Sequence, residues 1–333
     1  MLVTRAKGPI FEYACHEGNY AMTDILAGGF LLILFAAPIL FGQNQRDLQG
    51  IWTNATITPL ERPKELGNQQ FFTPAEAAKY ERDTNQRNNA DQRESNPQAD
   101  VNHAYNQFWW DRGTKVAGLR TSLIIDPPDG RIPPLTPAAH ERMAAQMAYT
   151  RAHSTDGPEN RLLSERCLLW ATAGPPMLPS FYNNDYQIVQ TPATVAIVVE
   201  MIHDVRMIPL DGRPHLPSNM RQWMGDPRGH WAGNTLVVDT TNFTDKTQFR
   251  GADENLHLTE RFTRVSPETL MYEFTVDDPT AFTKPWTVQI PMTKTKGPVF
   301  EYACHEGNYA MVDILAGARR EETIAAEPGK SSK

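Results

Sequence analysis

Between residues 200 and 215 the chain carries Glu200, His203, Asp204, Arg206, Arg213 and His215, directly after the apolar run TVAIVVEMI. A histidine oriented by a carboxylate can act as a general base or a metal ligand. His203, Asp204 and His215 therefore form one candidate catalytic group. The 203 to 215 spacing is not a helical i, i+4 metal pair and the sequence has no CxxC, so no metal site is expected. The structural alternative is a salt-bridged strand end, since ionisable groups beside a buried strand need partners. Glu260 is the second candidate. It shares its face with Leu256, Leu258, Phe262 and Arg264, so Glu260 and Arg264 are expected to form an interior pair that either holds a polar ligand group or serves as a buried ion pair. In Cys304-His305-Glu306, neighbouring side chains on a strand point apart and make no ready dyad. Neither a G-x-S-x-G nucleophile elbow nor a glycine-rich phosphate loop occurs.

Aromatic and cationic residues suggest ligand contacts. NQFWWDR (residues 106–112) holds Phe108, Trp109 and Trp110, too much aromatic area to leave in water without a reason. At least two of the three are expected in the core. Trp109, Trp110, Arg206, Arg213, Trp231 and Arg264 are the candidate ligand-binding residues. No cofactor is implied.

The elements that must position these groups read as mainly β. Gly50-Ile51-Trp52 opens a first strand and resembles the G-x-W of lipocalin-like barrels, in which the Trp plugs one end. Thr73-Pro74-Ala75-Glu76 supplies a cap, a first-turn proline and a capping-box glutamate. Thr136-Pro137 starts a second helix, and residues 81–100 are almost wholly polar, as in a solvated helix end or loop. TVAIVVEMI is apolar on both parities, which predicts a strand covered on both faces. Leu270, Tyr272, Phe274 and Val276 alternate cleanly, as do Trp286, Val288, Ile290 and Met292; both read as half-buried strands. Residues 299–304 are expected to close the sheet as a last strand, followed by a short helix ending near Arg320. The expected fold is an antiparallel lipocalin-like barrel or half-barrel with short helical insertions.

Residues 7–28 repeat residues 296–317 with two differences, Ile10/Val299 and Thr23/Val312. One lone pair of copies is not a solenoid. Residues 1–28 read as a duplicated C-terminal fragment outside the mature fold, and residues 29–42 as the apolar core of a secretory signal, too short to span a bilayer. Residues 43–320 then form a single β-rich domain and 321–333 a disordered tail. Two of the 32 basic and three of the 39 acidic residues precede Gln43, leaving 30 and 36. The net negative charge argues against a nucleic-acid surface. Of three cysteines, Cys15 lies in the discarded copy. Cys167 and Cys304 are therefore expected to form a disulfide, closing a loop worth up to roughly 4–5 kcal/mol.

The motifs IVQTP, RPHLP, GHWAGNTLVVDTTNF, ERFTR, TVDDP, KPWT and EYACHEGNY resemble a family of exported bacterial proteins to which no activity is attached. The resemblance covers roughly residues 47–320 and implies a periplasmic or secreted protein without a membrane span after cleavage. It brings no catalytic residues. Three functions follow as expectations: binding of a small apolar or aromatic ligand inside the barrel, acid–base catalysis by a hydrolase, lyase or isomerase through His203, Asp204, His215 or Glu260, or a cell-envelope interaction through NQFWWDR.

Overall fold

A computed structural model describes residues 46–92 and 106–326. The duplicated fragment, the apolar run, and parts of the polar stretch and tail lie outside the described residues. Among those described, ten strands make one antiparallel sheet: β1 (Gly50–Thr53), β2 (Ile124–Asp126), β3 (Asp185–Gln190), β4 (Thr194–Val199), β5 (Val205–Pro209), β6 (Asp226–Ala232), β7 (Thr235–Thr241), β8 (His257–Ser266), β9 (Thr269–Asp277) and β10 (Trp286–Thr295). Their order is β5-β4-β3-β1-β10-β9-β8-β7-β6, with β2 added against β10. Two meanders, β3–β5 and β6–β10, are thus joined through the four residues of β1, which pair with Thr293–Thr295 on one side and Asp185–Ile188 on the other.

Alternation works as expected in β9 and β10, where Leu270, Tyr272, Phe274 and Val276 and Trp286, Val288, Ile290 and Met292 are all buried. Side-chain period two puts these residues on one face, and burying that face is what fixes the register. The expectation that residues 194–202 are covered on both faces is corrected. Only Val195, Ile197 and Val199 of β4 are buried, and the strand ends at Val199 because Ile202 and His203 take left-handed φ values of 67° and 61° in the turn to β5. Apolar residues on both parities identify the strand but do not show that a layer covers its outer face.

The hydrogen-bonded ladder does not close between the edge strands β5 and β6. The side chains of Ile208 in β5 and of Leu210 just after it nevertheless pack against Gly229 of β6, where an added Cβ would lie 2.7 Å from Ile208 Cγ2 and 2.6 Å from Leu210 Cδ2. Trp52 is fully buried, donates from Nε1 to Leu48 O at 2.9 Å, and has Arg264 and Lys294 over its ring. The described residues also form three α-helices: α1 (Pro74–Arg87), α2 (Pro137–His153) and α3 (Ala310–Ala326). The Thr73/Glu76 capping box forms, with Glu76 N donating to Thr73 Oγ1 and Thr73 N donating to Glu76 Oε2. α3 runs beyond the expected end at Arg320. No helix among the described residues is long and apolar enough to cross a membrane.

Residues 299–304 do not form the expected closing strand. Two of their backbone donors go to side chains instead: Phe300 N donates to Glu200 Oε1 at 2.8 Å and Tyr302 N to His203 Nδ1 at 3.4 Å, while Cys304 N donates to Tyr302 O at 2.8 Å. Cys304 is disulfide-bonded to Cys167, as expected.

Candidate functional site

The outer face of β6, β7 and β8 carries a line of polar residues that the register alone brings together. Arg228 lies opposite Asp239, and Asp226 is two residues from Arg228 on the same face. Asp239 lies opposite Thr259, and His257 is two residues along from Thr259. Such diagonal cross-strand neighbours stay within reach of long side chains. The loop after β5 then lays His215 across them. His215 Nδ1 stands 3.0 Å from Asp226 Oδ2 and its Nε2 stands 2.9 Å from Asp239 Oδ1. His257 Nε2 is 2.6 Å from Asp239 Oδ2, and Arg228 Nη1 donates to Asp226 Oδ1 at 2.6 Å. The result is a hydrogen-bonded chain in which acidic and basic residues alternate: Arg228, Asp226, His215, Asp239, His257.

An ionised carboxylate only accepts, so the His257 nitrogen that faces Asp239 must carry the proton. His257 Nε2 therefore donates, which leaves Nδ1 as the lone-pair nitrogen of the neutral ring. Nδ1 has no hydrogen-bond partner among the described residues, and the ring is half-exposed. The hydrogen bond to Asp239 holds the His257 pKa above its usual value, against the opposing effect of burial, with the Asp239 and Asp277 charges adding to it. The same bond, again against burial, holds Asp239 below the ordinary carboxylate range, helped by the His257 charge and by His215. Asp226 is buried and also accepts from Leu216 N at 2.9 Å, which fixes the loop carrying His215.

The other expected residues sit elsewhere. His203 is in the β4–β5 turn beside Glu200 O and residues 300–302, and Asp204 follows it, its carboxyl pKa raised by burial. Glu260 lies in the interior. Its expected partner, Arg264, bonds instead to the backbone oxygens of Asp47, Ser266 and Pro267. Glu260 is paired with Arg206 of β5, at 3.0 and 2.5 Å, and accepts from Tyr272 Oη at 2.7 Å. The bulge after Arg264 leaves its side chain on Asp47 O, and the bidentate guanidinium of Arg206 from β5 takes the carboxylate. Neither side chain of the Arg206–Glu260 pair exceeds 1% exposure. Arg213 is exposed and bonds to Asp211, and Trp231 is half-buried under Arg46. Thus His203, His215 and Glu260 belong to three separate hydrogen-bonded groups.

NQFWWDR reverses its expectation. Phe108 is 82% and Trp109 62% exposed, while Trp110 is half-buried against Phe181 and Tyr182 with Arg112 over its ring. The short 3-10 turn at Gln107–Trp109 holds Phe108 and Trp109 on the surface. Beside them, Asn184 donates to Asp111 O. Burial, reinforced by the Glu200 and Asp111 charges, pushes Asp185 up to about 6.

Sequence reasoning found His215 but missed Asp239, His257 and Asp226. The only signal for them was parity, because each falls on the outward side of its strand. Among the described residues no cluster of His, Cys, Asp and Glu is arranged to hold a metal ion. No family model, curated protein or solved structure matches this chain.

Proposed function

We propose that the chain is an acid–base catalyst of the hydrolase, lyase or isomerase class, working at His257 with Asp239 and His215. The observation that carries this reading is Asp239 clamped between two imidazoles, with His257 Nδ1 left unpartnered on a half-exposed ring. Asp239 holds the tautomer and stabilises the imidazolium that forms when Nδ1 takes a proton, as an orienting carboxylate does for a general base. Asp226, fixed by Arg228 and Leu216 N, holds His215, which in turn fixes the second oxygen of Asp239. The Cys167–Cys304 disulfide supports placement in an oxidising, periplasmic or extracellular compartment.

We also read the sheet as a lipocalin-like barrel whose seam is closed by side chains. Arg206 of β5 reaching Glu260 of β8, and Gly229 lying against Ile208 and Leu210, support this. A small apolar ligand inside it would have to displace Tyr186, Phe262, Tyr272, Phe274 and Trp286, which are buried there. The catalytic reading needs no such opening. The exposed Phe108 and Trp109 favour a second role, attachment to an envelope partner, because large aromatics left in water mark interaction surfaces.

The test is turnover of a panel of p-nitrophenyl esters by the wild type, His257→Gln, Asp239→Asn and the surface control His230→Gln. Loss of at least tenfold in the first two variants and none in the control supports the proposal. Equal rates in all four proteins would refute it.

A further inference from the structure

We propose that the seat occupied by residues 296–309 also accepts residues 7–20 of a second copy of this chain that retains its first 42 residues, with Cys15 taking the place of Cys304. The seat is built from Glu200, His203, Trp170, Glu165 and Cys167. Glu200 Oε1 accepts from Phe300 N at 2.8 Å, His203 Nδ1 stands 3.4 Å from Tyr302 N, and Trp170 meets the Tyr302 ring at 6.5 Å. Glu165 O accepts from Asn308 Nδ2 at 3.4 Å, and Cys167 is bonded to Cys304. The residues held there recur at Phe11, Tyr13, Asn19 and Cys15. The two positions at which the copies differ, Ile10/Val299 and Thr23/Val312, take no part in these contacts.

The occupant is not woven into the sheet. Residues 296–309 have no place in the strand ladder, and Phe300 and Tyr309 are mostly exposed. Exchange therefore separates no paired strands. The covalent step also balances without an added oxidant. Cys15 of one copy loses its proton to solvent, and its thiolate attacks Cys167 Sγ of another. The Cys15–Cys167 bond forms as the Cys167–Cys304 bond breaks, and Cys304 leaves as a thiolate that takes up the proton. Because the incoming contacts match the outgoing ones, exchange is close to isoenergetic and its extent is set by concentration. A donor segment at one end and a seat elsewhere on the same chain make a head-to-tail contact, which extends into chains or closes into rings.

The experiment uses the full 333-residue chain in mild detergent, equilibrated in mixed reduced and oxidised glutathione over a hundredfold range of concentration, then alkylated and peptide-mapped. A Cys15–Cys167 peptide is expected in reducible dimers and higher species whose share rises with concentration. It should vanish in Cys15→Ser and fall at least fivefold in Tyr13→Ala/Asn19→Ala, which keeps the thiol but removes the matching side chains. Cys167 bonded only to Cys304 at every concentration would overturn the proposal. So would a Cys15–Cys167 bond confined to monomers, or one formed equally by the Tyr13→Ala/Asn19→Ala variant, since those results mean an intrachain or a chance thiol encounter.

Discussion

His257 Nε2 and Asp239 Oδ2 stand 2.6 Å apart on the outer face of β8 and β7, and the other oxygen of the same carboxylate holds His215 at 2.9 Å. One carboxylate thus organises two imidazoles contributed by residues 42 positions apart in the chain. The pair has consequences for stability and for reactivity, and the remaining polar groups of the fold make further tests.

The His257–Asp239 pair should stabilise the fold in a defined pH window. The raised His257 pKa gives stability that is complete below its unfolded value of about 6.5 and is lost as pH rises through the folded value. The lowered Asp239 pKa gives stability present above about 3.9 and lost as pH falls through its folded value. Both contributions coincide between about pH 4 and 6.5. Partial exposure limits the effect to below about 1 kcal/mol. Urea unfolding of wild type and Asp239→Asn should differ most near pH 5.5, and the difference should shrink but persist at pH 8.5, where only the Asp239 contribution remains.

Arg206 and Glu260 form a buried bidentate pair, so removing one partner strands the other. Arg206→Met should cost about 3–5 kcal/mol in chemical unfolding. The double variant Arg206→Met/Glu260→Leu should recover most of that loss, since apolar replacements of a buried pair are often nearly neutral. A double variant as unstable as the single would show that the pair does more than satisfy itself.

Asp185 carries the opposite sign. Its folded pKa of about 6 lies above its unfolded value, so its favourable contribution is complete below about pH 3.9 and is lost as pH rises through 6. Asp185→Asn should therefore be more stable than wild type at pH 8 and no more stable at pH 4. Thermal melts at the two pH values check this.

The disulfide links residues 137 apart. Chain entropy assigns such a loop about 4–5 kcal/mol, so Cys167→Ser/Cys304→Ser should lose up to that amount in urea unfolding. Trp109→Ala, by contrast, should stay within about 0.5 kcal/mol of wild type, because the ring packs mainly against water and its neighbour Phe108.

Much of the fold was legible where the cause is local. Alternation exposed β9 and β10, the Thr73 and Glu76 spacing exposed the start of α1, and the cysteine count exposed the disulfide. The groups that depend on register or on distant elements were not legible. Asp239 and His257 meet only because Asp239 falls opposite Thr259. Arg206 reaches Glu260 from 54 residues away, and nothing local distinguishes it from Arg264 as the partner. Residues 299–304 have strand-like composition, but Glu200 and His203 take the backbone donors of Phe300 and Tyr302. NQFWWDR shows the limit of residue type: aromatic area requires either burial or a use, and composition does not choose between them.

The most direct measurement is the pH dependence of kcat/KM for p-nitrophenyl ester hydrolysis by the wild type, Asp239→Asn and His257→Gln. With His257 as general base, wild-type activity should rise through an inflection above pH 6.5 as the ring loses its proton. That inflection should move to lower pH in Asp239→Asn, with at least a tenfold loss, and disappear in His257→Gln. One unchanged profile shared by all three proteins would contradict a catalytic role for the pair.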